Sequence, residues 1–179
     1  MSIHVQVKAG AKGKESVAHG VIFIHSCARA VSPHVEWALA GIFGSSVDID
    51  WAEQPIAPAS VRAEILWEGP VGTGATIASA MLAFSNIRHE VTEDPSPGRS
   101  GERFAATPAL GLFRADIGVH GDVMLSEDRL RTALSQAGPN SVGLALEISR
   151  LIGTPWDEEL EPFRCAHEGS SVRFLHAVV

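Results

Sequence analysis

The stretch VIFIHSCARAVSPHVEW places several side chains capable of chemistry between an apolar strand and a helix. Histidine, cysteine and glutamate bind zinc, so His25, Cys27, His34 and Glu36 suggest a metal site, although their spacing matches no familiar ligand pattern. Cys27 could also act as a nucleophile. A phosphatase loop would need an arginine where this chain has Pro33. We therefore interpret the junction mainly as architecture and predict neither a metal nor a catalytic residue there.

An anion or acyl ligand is a further possibility at two places in the sequence. Arg29 lies in a short loop beside a helix N-terminus, where exposed N–H groups favour anions, and His25 and His34 flank it. In GPVGTGAT, Gly72 and Gly74 allow backbone amides to approach a phosphate closely. That motif lacks the lysine of a P-loop, so a tight strand-to-helix turn is the alternative. These five residues form the candidate ligand site.

Two tryptophans do not fit the predicted core. Trp37 lies beside the apolar stripe of its helix, and Trp156 lies in an acid-rich first turn with Asp157 and Glu158. Aromatic anchors dominate interface energetics, so these four residues are a candidate partner interface. Alternatively, other parts of the chain cover both indole rings. The acids have a simpler explanation as well, because the dipole of a helix stabilises carboxylates in its first turn.

The elements that must position these residues follow one order over residues 20–94: strand, helix, strand, strand, helix, strand. The strands are the apolar run GVIFI and the alternating segments VDIDW, VRAEILW and IRHEVTED; the second helix covers residues 73–85. This order predicts an α+β fold with a ferredoxin-like split βαβ core, βαββαβ, in which helices cover one face of an antiparallel sheet.

Residues 95–179 are predicted to extend this core into a single domain spanning residues 20–179. The extension holds a bent strand, a helix from Ser126, a buried helix at residues 141–152, a short helix at TPWDEELEPF and a terminal strand VRFLHAVV. Residues 1–19 are predicted to form a flexible lead-in with a short strand at IHVQV.

Composition narrows the class of protein. The chain has 179 residues, of which 45% are hydrophobic and 20% charged, which is typical of one globular domain. A net charge of −7 argues against nucleic acid as the main ligand. Two cysteines cannot form a disulfide framework, and no apolar run is long enough to span a membrane. We expect a cytoplasmic protein without a cofactor.

The segments VIFIHSCARAVSPHVEWALAGIFG, DPSPGRSGERF, HGDVMLSEDRLR and GTPWDEELEPFR together resemble an actinobacterial family of unknown function, from about residue 20 to the C-terminus. The resemblance implies an actinobacterial source and, more loosely, an association with genes of fatty-acid synthesis. It carries over no activity and no catalytic residues.

Together, these features predict a non-catalytic binding or accessory protein, such as a small subunit of an acyl-CoA-handling complex. Its partner would be another protein, and a homo-oligomer is compatible with the sequence. The alternatives are a small-molecule binder or enzyme that uses His25, Arg29 and His34, and a purely structural protein.

Overall fold

The computed structural model describes residues 3–6, 16–138 and 141–166, which form a mixed α+β domain. In chain order the elements are β1 (Ile3–Gln6), β2 (Val17–Ala28), α1 (Ser32–Phe43), β3 (Ala52–Glu53), β4 (Ser60–Pro70), α2 (Thr73–Met81), β5 (Arg88–Glu93), β6 (Gly101–Thr107), β7 (Gly111–Ile117), β8 (Val123–Met124), α3 (Glu127–Ala137), α4 (Ser141–Ile152) and α5 (Thr154–Cys165). No helix in these ranges is long and apolar enough to cross a membrane.

All the strands belong to one sheet. Its order is β1-β4-β2-β5-β6-β7-β8, with β3 pairing on β4. The seven strands β2 to β8 pair antiparallel, and β1 adds to β4 in parallel. Because β2 lies between β4 and β5, both of its edges are paired, and β5 beside it is the middle strand of this order.

Helices cover both faces of the sheet, because neighbouring residues in a strand point to opposite sides. Phe104 of β6 joins the main apolar cluster under α1 and α2, whereas the next residue, Ala105, joins a smaller cluster with Phe113 and Leu160 of α5. We call these two sides the α1–α2 face and the α5 face. The prediction of helices on one face was therefore incomplete.

A β-bulge in β2 redirects the residues of the junction. Between Ile24 and Cys27, β2 has one residue more than its partners β4 and β5, and the register shifts accordingly. An extra residue changes the alternation, so both Ile24 and Cys27 lie in the main apolar cluster. His25 stacks with Phe23 instead, with ring centroids 6.0 Å apart.

The ends of α1 and α2 follow from local chemistry. Pro33 occupies the first turn of α1, and Gly44 ends it with φ 66°, a left-handed conformation that favours glycine. Gly72 precedes α2 with φ 92° for the same reason. Both helices bury one apolar side against the sheet.

Several predicted elements differ from the structure. Residues 47–51 alternate in burial as predicted, with Val47 and Ile49 buried, but they form no strand, and only Ala52–Glu53 pairs with β4. The second helix ends at Met81 rather than at residue 85 because the chain continues in turns. The predicted short helix at TPWDEELEPF is a 12-residue element, α5.

The prediction that residues 141–152 form a buried helix was wrong about burial. The helix is present as α4, but none of its residues is buried, because it packs beside α3 and α5 at the margin of the domain. The predicted terminal strand VRFLHAVV lies outside the described residues. The predicted strand near the N-terminus is present as β1, and β2 begins at Val17, within the predicted lead-in.

Candidate functional site

The strand-to-helix junction does not bring its predicted site residues together. His25 is buried on the α5 face, while Cys27 is buried in the main apolar cluster on the other face. Arg29 is exposed and pairs with Glu53, and His34 is exposed on α1. In the described part of the chain, no group of three or more histidine, cysteine or acidic residues is placed to hold a metal ion.

The thiol at the junction is poorly suited to nucleophilic chemistry. Burial raises the pKa of Cys27 to about 11, so the reactive thiolate is scarce at neutral pH. Cys165 lies exposed on α5, and its hydrogen bond to Glu161 raises its pKa above the ordinary value. Both cysteines are free thiols.

The glycine-rich turn before α2 holds an anion supplied by the chain itself. The Gly72 N–H donates to Glu93 Oε1 at 2.9 Å, and the Gly74 N–H donates to Glu93 Oε2 at 2.9 Å. Glu93 is buried, and a Cβ added at Gly74 would lie 3.0 Å from the Glu93 Cβ. Sequence reasoning gave Gly72 and Gly74 as part of a candidate site for an anion or acyl ligand, with a tight turn as the alternative, and it did not identify Glu93.

Among the described residues, the largest group of interacting charges lies on the α5 face and centres on Glu90 of β5. His25 Nε2 lies 2.7 Å from Glu90 Oε2, and Arg103 of β6 donates to Oε1 at 2.7 Å. Arg164 of α5 donates from Nε to Oε2 at 3.0 Å and from Nη2 to Oε1 at 2.7 Å. Three cationic or polar side chains from three elements therefore converge on one buried carboxylate.

A second carboxylate extends this charge network towards solvent. Asp157 Oδ1 accepts from Arg103 Nη2 at 2.5 Å and from Arg164 Nη2 at 2.9 Å. Arg164 also donates to Glu161 at 3.2 Å. Asp157, predicted as part of a partner interface, thus binds within the chain, whereas Glu158 beside it is exposed.

Further ion pairs and hydrogen bonds continue the charge network along α5. Arg88 pairs with Glu159 at 3.3 Å and lies over the ring of Phe163 at 4.5 Å from its centroid. Glu159 accepts from the Thr107 hydroxyl at 2.7 Å. The buried Gln54 donates to the His25 carbonyl at 2.6 Å, which ties the loop after β3 to the bulge of β2. The contacts of Glu159 and Phe163 hold one side of α5 against the sheet.

The ionisation of the network is set by competition between burial and charge. Burial alone would raise the pKa of Glu90, but the hydrogen bond and charge of His25 and the charges of Arg103 and Arg164 hold that pKa well below its usual range. Burial opposes the charge of Arg164 too, yet Glu90 and Asp157 raise its pKa above its ordinary value. The carboxylate and both guanidinium groups are therefore charged throughout the neutral range.

The two tryptophans that sequence analysis selected have different environments. Trp156 packs against Phe113 with ring centroids 5.1 Å apart, and its Nε1 donates to the Gly111 carbonyl at 2.9 Å. It belongs to the chain's own packing between α5 and β7. Trp37 is 82% exposed on α1. Only Trp37 is therefore presented to solvent.

Sequence reasoning missed the residues at the centre of the network. Glu90, Arg103 and Arg164 lie far apart in sequence, and in isolation each looks like a solvent-facing charge on an alternating strand or helix. A useful signal was available in β6, where GERFAAT places two charges beside a run of apolar and small residues. All seven residues of β6 are buried, so those charges must be paired inside the protein.

Fold and site together define an α+β protein in which buried ion pairs, rather than a large apolar core, join α5 to the sheet. Residues 21–177 match the family of proteins of unknown function DUF3145, and the chain belongs to that family. No curated protein matches the chain, and no solved structure matches it.

Proposed function

We propose that this protein is a non-catalytic binding or accessory protein that docks another protein through the packed pair of helices α3 and α4, residues 127–137 and 141–152, here called the α3–α4 hairpin. The observation that carries the proposal is the exposed apolar surface of these two helices. Val142 is 68% exposed, Leu146 64% and Leu134 55%. The exposed large apolar residues of the hairpin are Leu130, Leu134, Val142, Leu146, Ile148 and Ile152.

The hairpin is amphipathic but buries little. In α3 only Ala133 is buried, and α4 has no buried residue. Apolar side chains of Leu and Val cost free energy when they stay in water, and proteins that expose many of them on one element commonly use that element to bind a partner. Laying an apolar helical face in a groove of another protein is a recurrent mode of recognition.

The charge network supports a role without catalysis. A general acid or base must be free to exchange a proton with a substrate, and a nucleophile must be accessible. Arg103 and Arg164 both donate short hydrogen bonds to Glu90, and Cys27 has a raised pKa. The charged groups hold α5 on the sheet, and such a structural role fits an accessory protein.

The apolar surface of the hairpin indicates what its partner must present. That partner should offer an apolar groove wide enough for one or two helices. Assignment of that partner to acyl-CoA or fatty-acid metabolism stays a prediction of the family resemblance. The cytoplasmic location also stays a prediction.

Affinity capture of the tagged full chain from its own cells tests the proposal. We expect a stoichiometric protein partner to co-purify with the parent, and to be lost with Val142→Ser combined with Leu146→Ser. Leu112→Ser is the matched control, because Leu112 is also an exposed leucine but lies on β7. A partner that survives the double substitution, or the absence of any partner, contradicts the proposal.

We further infer that residues 20–94 have the ferredoxin-like split βαβ arrangement. The order β3-β4-β2-β5 with antiparallel neighbours supports this layout, since each helix then connects two parallel strands separated by a third. An experimental structure in which β3 does not pair with β4 would contradict it.

A further inference from the structure

The outer surface of α1 and α2 carries almost no charge. α1 has one charged residue, Glu36, and its carboxylate accepts a hydrogen bond from Trp51 Nε1 at 2.8 Å. The sequence from Gly69 to Ile87, which contains α2, has no charged residue. Charged residues make up 20% of the whole chain, and a helix that faces water normally carries them on its outer side.

A large aromatic ring projects from this uncharged surface beside an open position. Trp37 is 82% exposed, and Gly41 follows it by one helical turn. Both lie opposite Val35 and Leu39, which α1 buries against the sheet. A Cβ added at Gly41 would contact nothing within 4 Å, so the surface next to the indole is open.

We propose that the α1–α2 layer is the interface between two copies of this chain in a two-fold symmetric dimer, with Trp37 of each copy packed over Gly41 of the other. A two-fold interface must be self-complementary: if one residue contacts a second, the second contacts the first across the axis. The helix α1 carries both the projecting Trp37 ring and, about 6 Å away, the open position at Gly41. When two α1 helices cross antiparallel, each ring can therefore pack over the glycine of the other copy.

Charge favours a second copy as the occupant of this surface. Each chain has a net charge of −7, so two copies repel each other wherever acidic surfaces face. The α1–α2 layer lowers that obstacle because the two helices carry a single charged residue, Glu36, which is half-buried and hydrogen-bonded to Trp51. A partner of different sequence would commonly be selected by complementary charges, and this layer offers only that one carboxylate.

The available area fits a reversible dimer. α1 is about 18 Å long and α2 about 14 Å, and two such helices side by side present a footprint of roughly 300 Å² before side-chain relief is counted. Burial of Trp37 alone removes roughly 200 Å² per copy from water. Together these approach the roughly 500 Å² per partner of the smaller specific interfaces. An interface of this size is typical of weak, transient associations, so the dimer should dissociate on dilution.

Sedimentation velocity of the full chain over a wide concentration range tests the dimer. We expect the parent to shift from one 19.0 kDa chain to twice that mass as its concentration rises. Trp37→Ala should weaken the association at least tenfold. Gly41→Glu should abolish the association, because a charged side chain would then occupy the position over which the other copy's indole ring packs.

Gly41→Glu also guards against misfolding as an explanation, since glutamate favours a helix more than glycine does and its Cβ meets no neighbour. Its thermal midpoint at low concentration should equal or exceed that of the parent. Leu146→Ser, on the α3–α4 hairpin, should leave the dimer unchanged, which separates this inference from the proposed docking of another protein.

Two results would overturn the inference. One is a parent protein that sediments as a single 19.0 kDa chain at every concentration up to roughly 1 mM. That result would show that Trp37 does not pack against a second copy. The other is a dimer that both Trp37→Ala and Gly41→Glu leave intact, which would place the contact on another surface.

Discussion

Arg164, in the last turn of α5, donates hydrogen bonds to both carboxylate oxygens of Glu90, which lies 74 positions earlier in the chain on β5. Its Nε donates to Oε2 at 3.0 Å and its Nη2 donates to Oε1 at 2.7 Å. A planar guanidinium matches a carboxylate in this two-bond geometry, which fixes direction as well as distance. This ion pair therefore helps to fix the angle of α5 on the sheet, together with the contacts of Asp157 and Glu159.

Glu90→Gln should destabilise the protein by about 3 kcal/mol, because it leaves two guanidinium groups facing a buried neutral amide. Urea denaturation at neutral pH measures the loss. Arg131→Gln is the matched control: it breaks an exposed pair with Glu127 on α3 and should cost less than about 0.5 kcal/mol. Equal effects of the two substitutions would show that the buried network contributes no more than a surface pair.

Glu90 and Arg164 should also be energetically coupled. In a double-mutant cycle with Glu90→Gln and Arg164→Gln, we expect a coupling free energy above about 1 kcal/mol, since the two side chains share a buried contact. Hydrogen exchange should show α5 losing protection in both single variants while β2 keeps it. Additive effects would contradict the bidentate contact.

Glu93→Gln should cost about 1–3 kcal/mol, because the amides of Gly72 and Gly74 then lose a charged acceptor in a buried site. Thermal unfolding measures the change, and Glu158→Gln, an exposed carboxylate on α5, is the control. We expect the control to stay within about 0.5 kcal/mol of the parent. A neutral Glu93→Gln would mean that the turn before α2 does not depend on the carboxylate.

His89 should make stability fall as the solution is acidified. Burial, together with the nearby charge of His25, lowers the pKa of His89 to about 4, although Glu90 opposes this shift. The unfolded chain binds a proton near its ordinary pKa of about 6.5 while the folded chain does not, so stability present above that value is lost as pH falls towards 4. Between pH 7 and pH 5 the loss should reach about 2 kcal/mol.

His89→Leu tests the assignment, because it removes the titrating group and keeps a similar apolar volume. Denaturant unfolding of parent and variant at both pH values gives the comparison, and the variant should show a smaller dependence on pH. Both ring nitrogens of His89 lack a hydrogen-bond partner among the described residues, so the neutral ring should tolerate the replacement. An unchanged pH dependence would assign the proton to another group.

The two cysteines should differ sharply in reactivity. A disulfide reagent at neutral pH should modify Cys165 in the native protein, since that thiol is exposed, and should modify Cys27 only after denaturation. Burial both blocks access to Cys27 and raises its pKa to about 11. Rapid labelling of two thiols in the native state would contradict the placement of Cys27 in the core.

Local patterns were read correctly from the sequence where the cause is local. Pro33 and Gly44 mark the ends of α1, and Ser126 caps α3 by accepting from the Arg129 N–H, as such residues commonly do. The α+β class was confirmed as well. The apolar alternation of residues 47–51 was misinterpreted as a strand, because burial on one side also occurs in an irregular segment without a pairing partner.

The charge network could not be predicted in the same way. Glu90 is buried because α5 covers it, and the alternation of β5 does not reveal that cover. The helix α4 is not buried because few other elements surround it, which its own sequence does not reveal either. The bulge that places Cys27 on the same face as Ile24 depends on the register of two neighbouring strands. These are contacts between residues distant in sequence, and a single sequence carries no direct signal for them.

The sequence by itself determined the helices, the longer strands, the acidic composition and the position of Trp37 beside the apolar stripe of its helix, since each follows from residue type and short-range periodicity. Only the tertiary structure decided which charges are buried, which indole is covered and which glycine amides bind Glu93. The physical reason is that burial is a property of two surfaces in contact. It arises when elements far apart in the chain exclude water from between them.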